Sequence, residues 1–134
     1  MRAQEVKRAR LRSGEWRPFL EELKTDFWAS ALIRRAQIGG AFAGVVRKGD
    51  VDAGAVLVKV ATMNRKARLY APARNGEGAR IWLDLSAGTL GDDEAEVDAA
   101  VRKRMEKDPD LWVIEVEDKW GRHFLDEPVD SQGP

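Results

Sequence analysis

The apolar positions of the chain predict two amphipathic helices. Residues 26–40 repeat apolar side chains at every third or fourth position, the period of an α-helix, and the pair Gly39-Gly40 follows as a stop. Residues 93–108 show the same period, with acidic side chains in the first turns, basic ones in the last turns, and Pro109 as the stop. The expected core-facing positions are Trp28, Ala31, Leu32, Ala36, Val97, Val101 and Met105.

Runs of β-favouring residues, separated by turn formers, predict the strands of one sheet. Residues 42–47, 55–62 and 67–71 follow the first helix, and residues 80–85 form a short fourth run. After the second helix, residues 111–117 predict a strand, and residues 122–125 are expected to return beside it. We therefore expect an α+β fold, with a mainly antiparallel sheet of four to five strands and both main helices packed on one face.

The hairpin between residues 55–62 and 67–71 decides which side chains share a face of the sheet. A two-residue turn pairs Lys59 with Tyr70 and Val60 with Leu69, which puts the small apolar side chains on one face and the polar ones on the other. A loop of three to five residues is the alternative, because Arg65 is poorly suited to the left-handed backbone of a two-residue turn.

With the two-residue turn, Lys59, Arg68 and Tyr70 share the polar face, and Arg47 joins them if the preceding hairpin keeps the same alternation. A basic face that carries an aromatic ring could bind an anion, a peptide carboxylate or a single-stranded nucleic acid. The structural alternative is that acidic residues of the 111–117 strand lie beside these cations as cross-strand ion pairs.

Two further candidate binding residues lie near the C-terminus. His123, the only histidine, could act as a general base with Asp118 or Asp126, although a histidine held in a hairpin by a carboxylate or by backbone is the simpler interpretation. Trp120 lies in a predicted turn and would anchor an interface if it is exposed. The tryptophans expected in the core are Trp28, Trp82 and Trp112.

The sequence contains none of the standard catalytic motifs. It has no cysteine, no serine in a nucleophile motif and no glycine-rich phosphate-binding motif. Glu115, Glu117, Asp118 and His123 leave a metal-dependent hydrolase as an alternative. However, two carboxylates must converge on one cation, and Asp110 and Glu117 flank a single strand. We expect no catalytic residue, no metal and no cofactor.

Composition limits the class of protein. The chain has 134 residues, of which 43% are hydrophobic and 34% charged, as expected for one globular domain with a charged surface. Its 23 basic and 23 acidic residues cancel, which argues against a nucleic-acid footprint over the whole protein. No apolar run approaches the roughly 20 residues of a membrane span, and no secretory signal is recognisable. We expect a soluble cytoplasmic protein with no membrane partner.

Three segments of the chain resemble one bacterial family. The segments are residues 27–35, residues 45–60 (with Val45-Val46-Arg47-Lys48-Gly49-Asp50) and residues 108–125 (with Gly121-Arg122-His123-Phe124-Leu125). They are similar to the domain of unknown function family 1491, found in alphaproteobacteria, over about residues 23–126. The resemblance implies a bacterial protein with a single domain and implies no activity. Residues 1–22 then form a basic N-terminal extension that we expect to be partly flexible, and residues 127–134 a flexible tail.

Our leading hypothesis is a small non-enzymatic binding or protein-interaction domain, with a protein partner or a homodimer formed through a sheet edge. The alternatives are a nucleic-acid-binding module, which would use the basic extension and the basic sheet face, and the metal-dependent hydrolase. The extension carries Arg2, Lys7, Arg8, Arg10 and Arg12.

Overall fold

A computed structural model describes residues 24–130. The basic extension and residues 131–134 lie outside these described residues. Within residues 24–130, two α-helices, six strands and one short 3₁₀ turn at Leu85–Ala87 follow one another. We number the helices α1 (Thr25–Ile38) and α2 (Glu94–Lys107), and the strands β1 (Phe42–Arg47), β2 (Val56–Ala61), β3 (Ala67–Arg74), β4 (Arg80–Asp84), β5 (Trp112–Glu117) and β6 (Val129–Asp130).

The sheet has the order β1-β5-β2-β3-β4-β6, so the fifth strand lies between the first and the second. β5 is antiparallel to β1 and parallel to β2, and β6 is parallel to β4. The α+β class is confirmed. The sheet has six strands instead of the expected four to five, and it is mixed instead of mainly antiparallel. Sequence shows which runs form strands, whereas the place of a strand that returns from a distant segment depends on long-range pairing.

The helices lie on opposite faces of the sheet, so the prediction that both pack on one face is wrong. α1 packs through Leu32 against Val58 and Ile114. α2 packs through Val97 and Val101 against the other face. The physical reason is that β2 is buried on both faces, as its apolar residues on either side of Lys59 allow but do not require.

The predicted register of the β2–β3 hairpin is also wrong, by one residue. Lys59 is opposite Leu69, and Val58 is opposite Tyr70. The loop is three residues long between Thr62 and Lys66, whose backbone groups are joined by a hydrogen bond of 3.0 Å. Its first and last residues, Met63 and Arg65, both have positive φ angles. Because side chains alternate between faces, this one-residue shift changes every pair across the hairpin.

Residues 122–125 form no strand, so the expected return beside β5 is wrong, and side chains hold this segment instead. Arg35 donates two hydrogen bonds, of 3.1 and 2.9 Å, to the carbonyl oxygen of Phe124. Phe124 has a φ of 61°, a value that is uncommon outside glycine. The next strand, β6, falls within residues 127–134, which were expected to form a tail.

The expected tryptophan core is confirmed. Trp82 and Trp112 are buried, and Trp28 packs against the same cluster and stacks on Trp82 with 5.5 Å between ring centroids. Among the described residues, neither helix has the length and apolar character needed to cross a bilayer.

Candidate functional site

Lys59 lies on the α2 face of the sheet, in a pocket of carboxylates. Its Nζ is 2.7 Å from Asp98, 2.8 Å from Glu94 and 3.4 Å from Glu115. The first turns of α2 supply Glu94 and Asp98, and β5 supplies Glu115 directly opposite Lys59. The Lys59 side chain is only 9% exposed. The cross-strand ion pair that the sequence offered as the alternative to a binding face is therefore present.

The electrostatics of this cluster keep Lys59 charged. Burial acts to lower the pKa of Lys59, but the hydrogen bonds to Asp98 and Glu94 and the charge of Glu115 outweigh it, so its pKa lies above the usual range. One ammonium faces three carboxylates, so the cluster as a whole is negative. Lys59 therefore neutralises acidic residues and is not presented to a ligand.

Arg68, Tyr70 and His123 are brought together on the α1 side of the sheet. Arg68 donates a hydrogen bond of 2.8 Å to the buried Asp84, whose other oxygen accepts from the backbone of Ser86. The rings of Tyr70 and His123 meet edge to face, with 5.3 Å between centroids. Three of the six predicted residues thus form one cluster, but Lys59 is on the opposite face.

Burial governs protonation in this cluster. Burial raises the pKa of Tyr70, and the nearby Asp84 raises it further against the opposing effect of Arg68. Burial lowers the pKa of His123, with a smaller opposing effect from Asp84. The Nδ1 atom of His123 accepts a hydrogen bond of 2.9 Å from the backbone of Leu125. Since imidazolium has an N–H on both nitrogens, protonation would remove that acceptor.

We expect the stability of the protein to fall as the pH falls through the His123 transition. Its folded pKa lies below the unfolded value of about 6.5, so the stabilisation is fully present above pH 6.5 and is lost between that pH and the folded pKa. A proton NMR titration of untagged protein reads this group without assignment, because His123 is the only histidine. A fitted pKa at or above 6.5 would contradict the expectation. In His123→Gln, the part of the pH dependence below about pH 6.5 that comes from this group should disappear.

Arg47 lies at the far end of β1 and caps α2. Its guanidinium donates hydrogen bonds of 3.0 and 3.1 Å to the carbonyl oxygens of Met105 and Asp108. A cation at this position satisfies the carbonyl groups that a helix C-terminus leaves unpaired. The basic sheet face expected from sequence is therefore not assembled: Arg47 and Lys59 are engaged on the α2 side, and Arg68 and Tyr70 lie on the α1 side.

The residues suggested for a metal site are also separated. Within residues 24–130, no three carboxylate or histidine side chains are grouped closely enough to hold a metal ion. Glu115 is paired with Lys59, while Asp118 forms hydrogen bonds of 2.8 and 3.0 Å with the Arg122 side chain. That pairing holds the pKa of Asp118 below its usual range.

An exposed apolar corner lies where β1 begins. Phe42, Met63 and Trp120 are 70%, 69% and 69% exposed, and all three line one shallow depression. The turn that carries Trp120 is fixed by Asp118 and Arg122, since Arg122 also donates to the carbonyl oxygen of Gly39. Lys119 lies over the Trp120 ring at 4.9 Å. Three large exposed apolar side chains at one rigid corner form the type of surface that anchors protein contacts.

β1 extends this corner along one end of the sheet. On its outer side, β1 pairs with no strand among the described residues, and Val45 and Val46 are exposed on it. Gly44 lies at its middle, and a Cβ added there would meet no atom within 4 Å. An irregularity between Val45 and Arg47 interrupts the ladder with β5. A shallow groove of about 340 Å³ runs along residues 41–46 and reaches Gln37, Glu115 and Glu117. We call Phe42–Val46 with Met63 and Trp120 the β1 surface.

Sequence reasoning identified Trp120 but missed Phe42 and Met63. The signal for β1 was present: Phe42–Val46 has no polar side chain, so period-two alternation does not divide it into a buried and an exposed face. Only the position of the strand at the end of the sheet shows that these residues are exposed.

Comparison with known proteins places the whole described domain in one group. The family model described as protein of unknown function (DUF1491) matches residues 23–126. The crystal structure of a DUF1491 family protein from Caulobacter crescentus superposes with a TM-score of 0.75 at 50% sequence identity, covering 81% of this chain and 99% of that chain. The solution structure of a protein from A. tumefaciens gives a TM-score of 0.64 at 30% identity, covering 81% and 99% of the two chains. No curated protein matches the chain.

Proposed function

The chain belongs to the DUF1491 family of proteins of unknown function, and we propose that it is a non-enzymatic protein-interaction domain that binds an extended segment of a partner along the β1 surface. The observation that carries this proposal is the exposed Phe42, Met63 and Trp120 corner at the start of an edge strand. An edge strand offers backbone N–H and C=O groups to another strand, and neighbouring aromatic side chains supply the anchor.

The charges beside β1 indicate what the partner segment carries. Glu115 is opposite Gly44, and Glu117 is opposite Phe42, so both carboxylates lie one strand in from the edge on the α2 side. Gly44 has no side chain to shield them, and a long lysine or arginine side chain on an added strand can reach across it. We therefore propose a segment that alternates apolar residues with lysine or arginine.

The same charges disfavour a second copy of this chain as the occupant. If two β1 strands paired across a two-fold axis normal to the sheet, the acidic residues of both copies would lie on one common face. The irregularity between Val45 and Arg47 also shortens the part of the edge that a copy could pair with. A basic extended segment avoids the first obstacle, because its cations would face the same carboxylates.

The test is an NMR titration with short acetylated peptides that alternate valine with lysine, compared with peptides that alternate valine with glutamate. We expect the lysine peptides to shift the backbone amide signals of residues 41–46 and the indole signal of Trp120. Phe42→Ala and Trp120→Ala should each weaken binding about tenfold or more. The matched control is Phe27→Ala, since Phe27 is 62% exposed but lies on α1, outside the β1 surface. Glu117→Lys should reduce the preference for lysine peptides.

The proposal would be overturned by peptide binding that is unchanged in Phe42→Ala and Trp120→Ala, by signal shifts at residues outside the β1 surface, or by no binding at millimolar peptide. It would also be overturned by a dimer that sedimentation detects at micromolar concentration and that Phe42→Ala converts to monomer, because the β1 surface would then be occupied by a second copy.

A further inference from the structure

A cavity lies on the α2 face of the sheet, where β2 and β3 separate. Their ladder ends at the pair Val58 and Tyr70. Beyond it, β2 stays paired with β5 as far as Val56, and β3 stays paired with β4 as far as Arg74. Pro72 lies at the start of this split and has no N–H with which to extend the ladder. The sheet therefore opens beneath the C-terminal half of α2, and the opening has a volume of about 540 Å³.

The floor of this cavity is apolar. It consists of Leu57, Leu111 and Pro72 with the alanines Ala55 and Ala71, and Ala100 lines the cavity from the helix. Ala100 is contributed by α2, and its small side chain leaves the space that a leucine would fill. Among the residues that the structure describes, no aromatic side chain lines the cavity, so they offer no stacking surface for a nucleobase. Its volume is within the range of about 300–1,000 Å³ that is typical of small-molecule sites.

The rim of the cavity is basic. Lys103, Arg104 and Lys107 follow Ala100 at the helical spacing of three and four residues, so all four residues project from one side of α2. Within residues 24–130, none of these three cations forms an ion pair with a carboxylate. Asp108 also lines the cavity, and its Oδ1 accepts a hydrogen bond from the backbone of Asp110. The rim therefore keeps a net positive charge over an apolar floor.

We propose that this cavity binds a small amphipathic anion, that is, an aliphatic body with one terminal carboxylate or phosphate. The aliphatic body would fill the split between β2 and β3, and the anionic group would lie among Lys103, Arg104 and Lys107. Each half of such a ligand matches one half of the site. A neutral aliphatic ligand would leave the cations without a partner, and a compact anion without an apolar body would leave the floor in contact with water.

The probes are octanoate and octyl phosphate, which share the aliphatic body and differ in the anion, with octanol and octylamine as the neutral and cationic comparisons. We expect both anions to shift the backbone amide signals of Leu57, Ala71 and Leu111, and to bind about tenfold or more tightly than octanol. Whichever of the two anions binds with the higher affinity identifies a carboxylate or a phosphate as the anionic group of the natural ligand. Octylamine should not bind.

Three variants locate the site. Ala100→Leu should abolish binding by filling the cavity, and Lys103→Gln with Lys107→Gln should bring the affinity for the anions towards that of octanol, with Arg104 as the remaining cation. Arg102→Gln is the matched control, because Arg102 is an exposed cation of the same helix that does not line the cavity. Equal affinities for octanol and octanoate, binding that survives Ala100→Leu, or no binding at millimolar octanoate or octyl phosphate would overturn the proposal. The β1 surface is not involved, so this experiment fails or succeeds independently of the peptide titration.

Discussion

Lys59→Met should destabilise the protein by about 3 kcal/mol, because it leaves Glu94, Asp98 and Glu115 around an uncharged side chain. Removing one partner of a buried ion pair costs about 3–5 kcal/mol. The lower end applies here, because the three carboxylates keep 28–41% of their side-chain surface exposed and recover part of their hydration. For a domain of this size, the melting temperature should fall by about 10 °C. Urea unfolding of the two proteins measures the difference.

The pH dependence of that difference distinguishes charge repulsion from a loss of packing. Without Lys59, the clustered carboxylates repel one another in the folded protein, and a lower pH relieves this repulsion by reducing their charge. The stability gap between wild type and Lys59→Met should therefore narrow as the pH falls from 7 towards 4. Adding Asp98→Asn to Lys59→Met should recover part of the lost stability at neutral pH. A gap that is constant with pH would show that the lysine stem, and not its charge, is responsible.

Lys66→Met is the matched control for Lys59→Met. Lys66 also forms an ion pair, with its Nζ 3.4 Å from Asp92, but both side chains are about half exposed. Such a surface pair contributes less than about 1 kcal/mol. If the two lysine variants lost equal stability, the cluster around Lys59 would have no special role in the fold.

Gly49→Ala should destabilise the protein by about 3 kcal/mol or more. A Cβ on Gly49 would overlap the carbonyl oxygen of Asp110 and would lie 2.7 Å from the carbonyl carbon of Leu111. These are backbone atoms and cannot turn aside as a flexible side chain can. Overpacking against well-fixed atoms costs about 1–3 kcal/mol and sometimes more. Urea unfolding and the yield of soluble protein report the effect.

This close approach matters because it fixes where β5 enters the sheet. Asp50 donates a backbone hydrogen bond of 3.0 Å to Asp110, and the indole of Trp112 donates one of 2.7 Å to the carbonyl oxygen of Asp50. The loop that follows β1 is thereby tied to the start of β5. If Gly49→Ala yields no folded protein, Trp112→Phe tests the neighbouring hydrogen bond. Losing that bond should cost about 1 kcal/mol, and the smaller buried ring adds a packing cost.

Gly44→Ala is the control for Gly49→Ala. A Cβ at Gly44 meets open space, and an alanine in a strand loses less conformational entropy on folding than a glycine. We expect stability that is unchanged or raised by up to about 1 kcal/mol. A large loss in Gly44→Ala would mean that the edge of β1 is more tightly constrained than the structure indicates.

The sequence by itself determined the helices, most of the strands, the tryptophan core and the family. These features are local, because the helical period, the capping residues and the turn formers act within a few positions of one another. Among the candidate site residues, Trp120 was identified as an interface anchor on the condition of exposure, and its side chain is exposed. Arg68 and Tyr70 were expected to share a face of the sheet, but the contact between Tyr70 and His123 was not predicted.

Tertiary structure alone decided the order of the strands, the register of the β2–β3 hairpin and the faces that the helices cover. β2 reads Val-Leu-Val-Lys-Val-Ala, with apolar side chains on both faces, so it lacks the alternation that would specify one buried face. Its one charged residue, Lys59, is buried because carboxylates from α2 and β5 surround it. Those partners lie 35 to 56 positions away in the chain, and a pattern read over neighbouring residues cannot contain them.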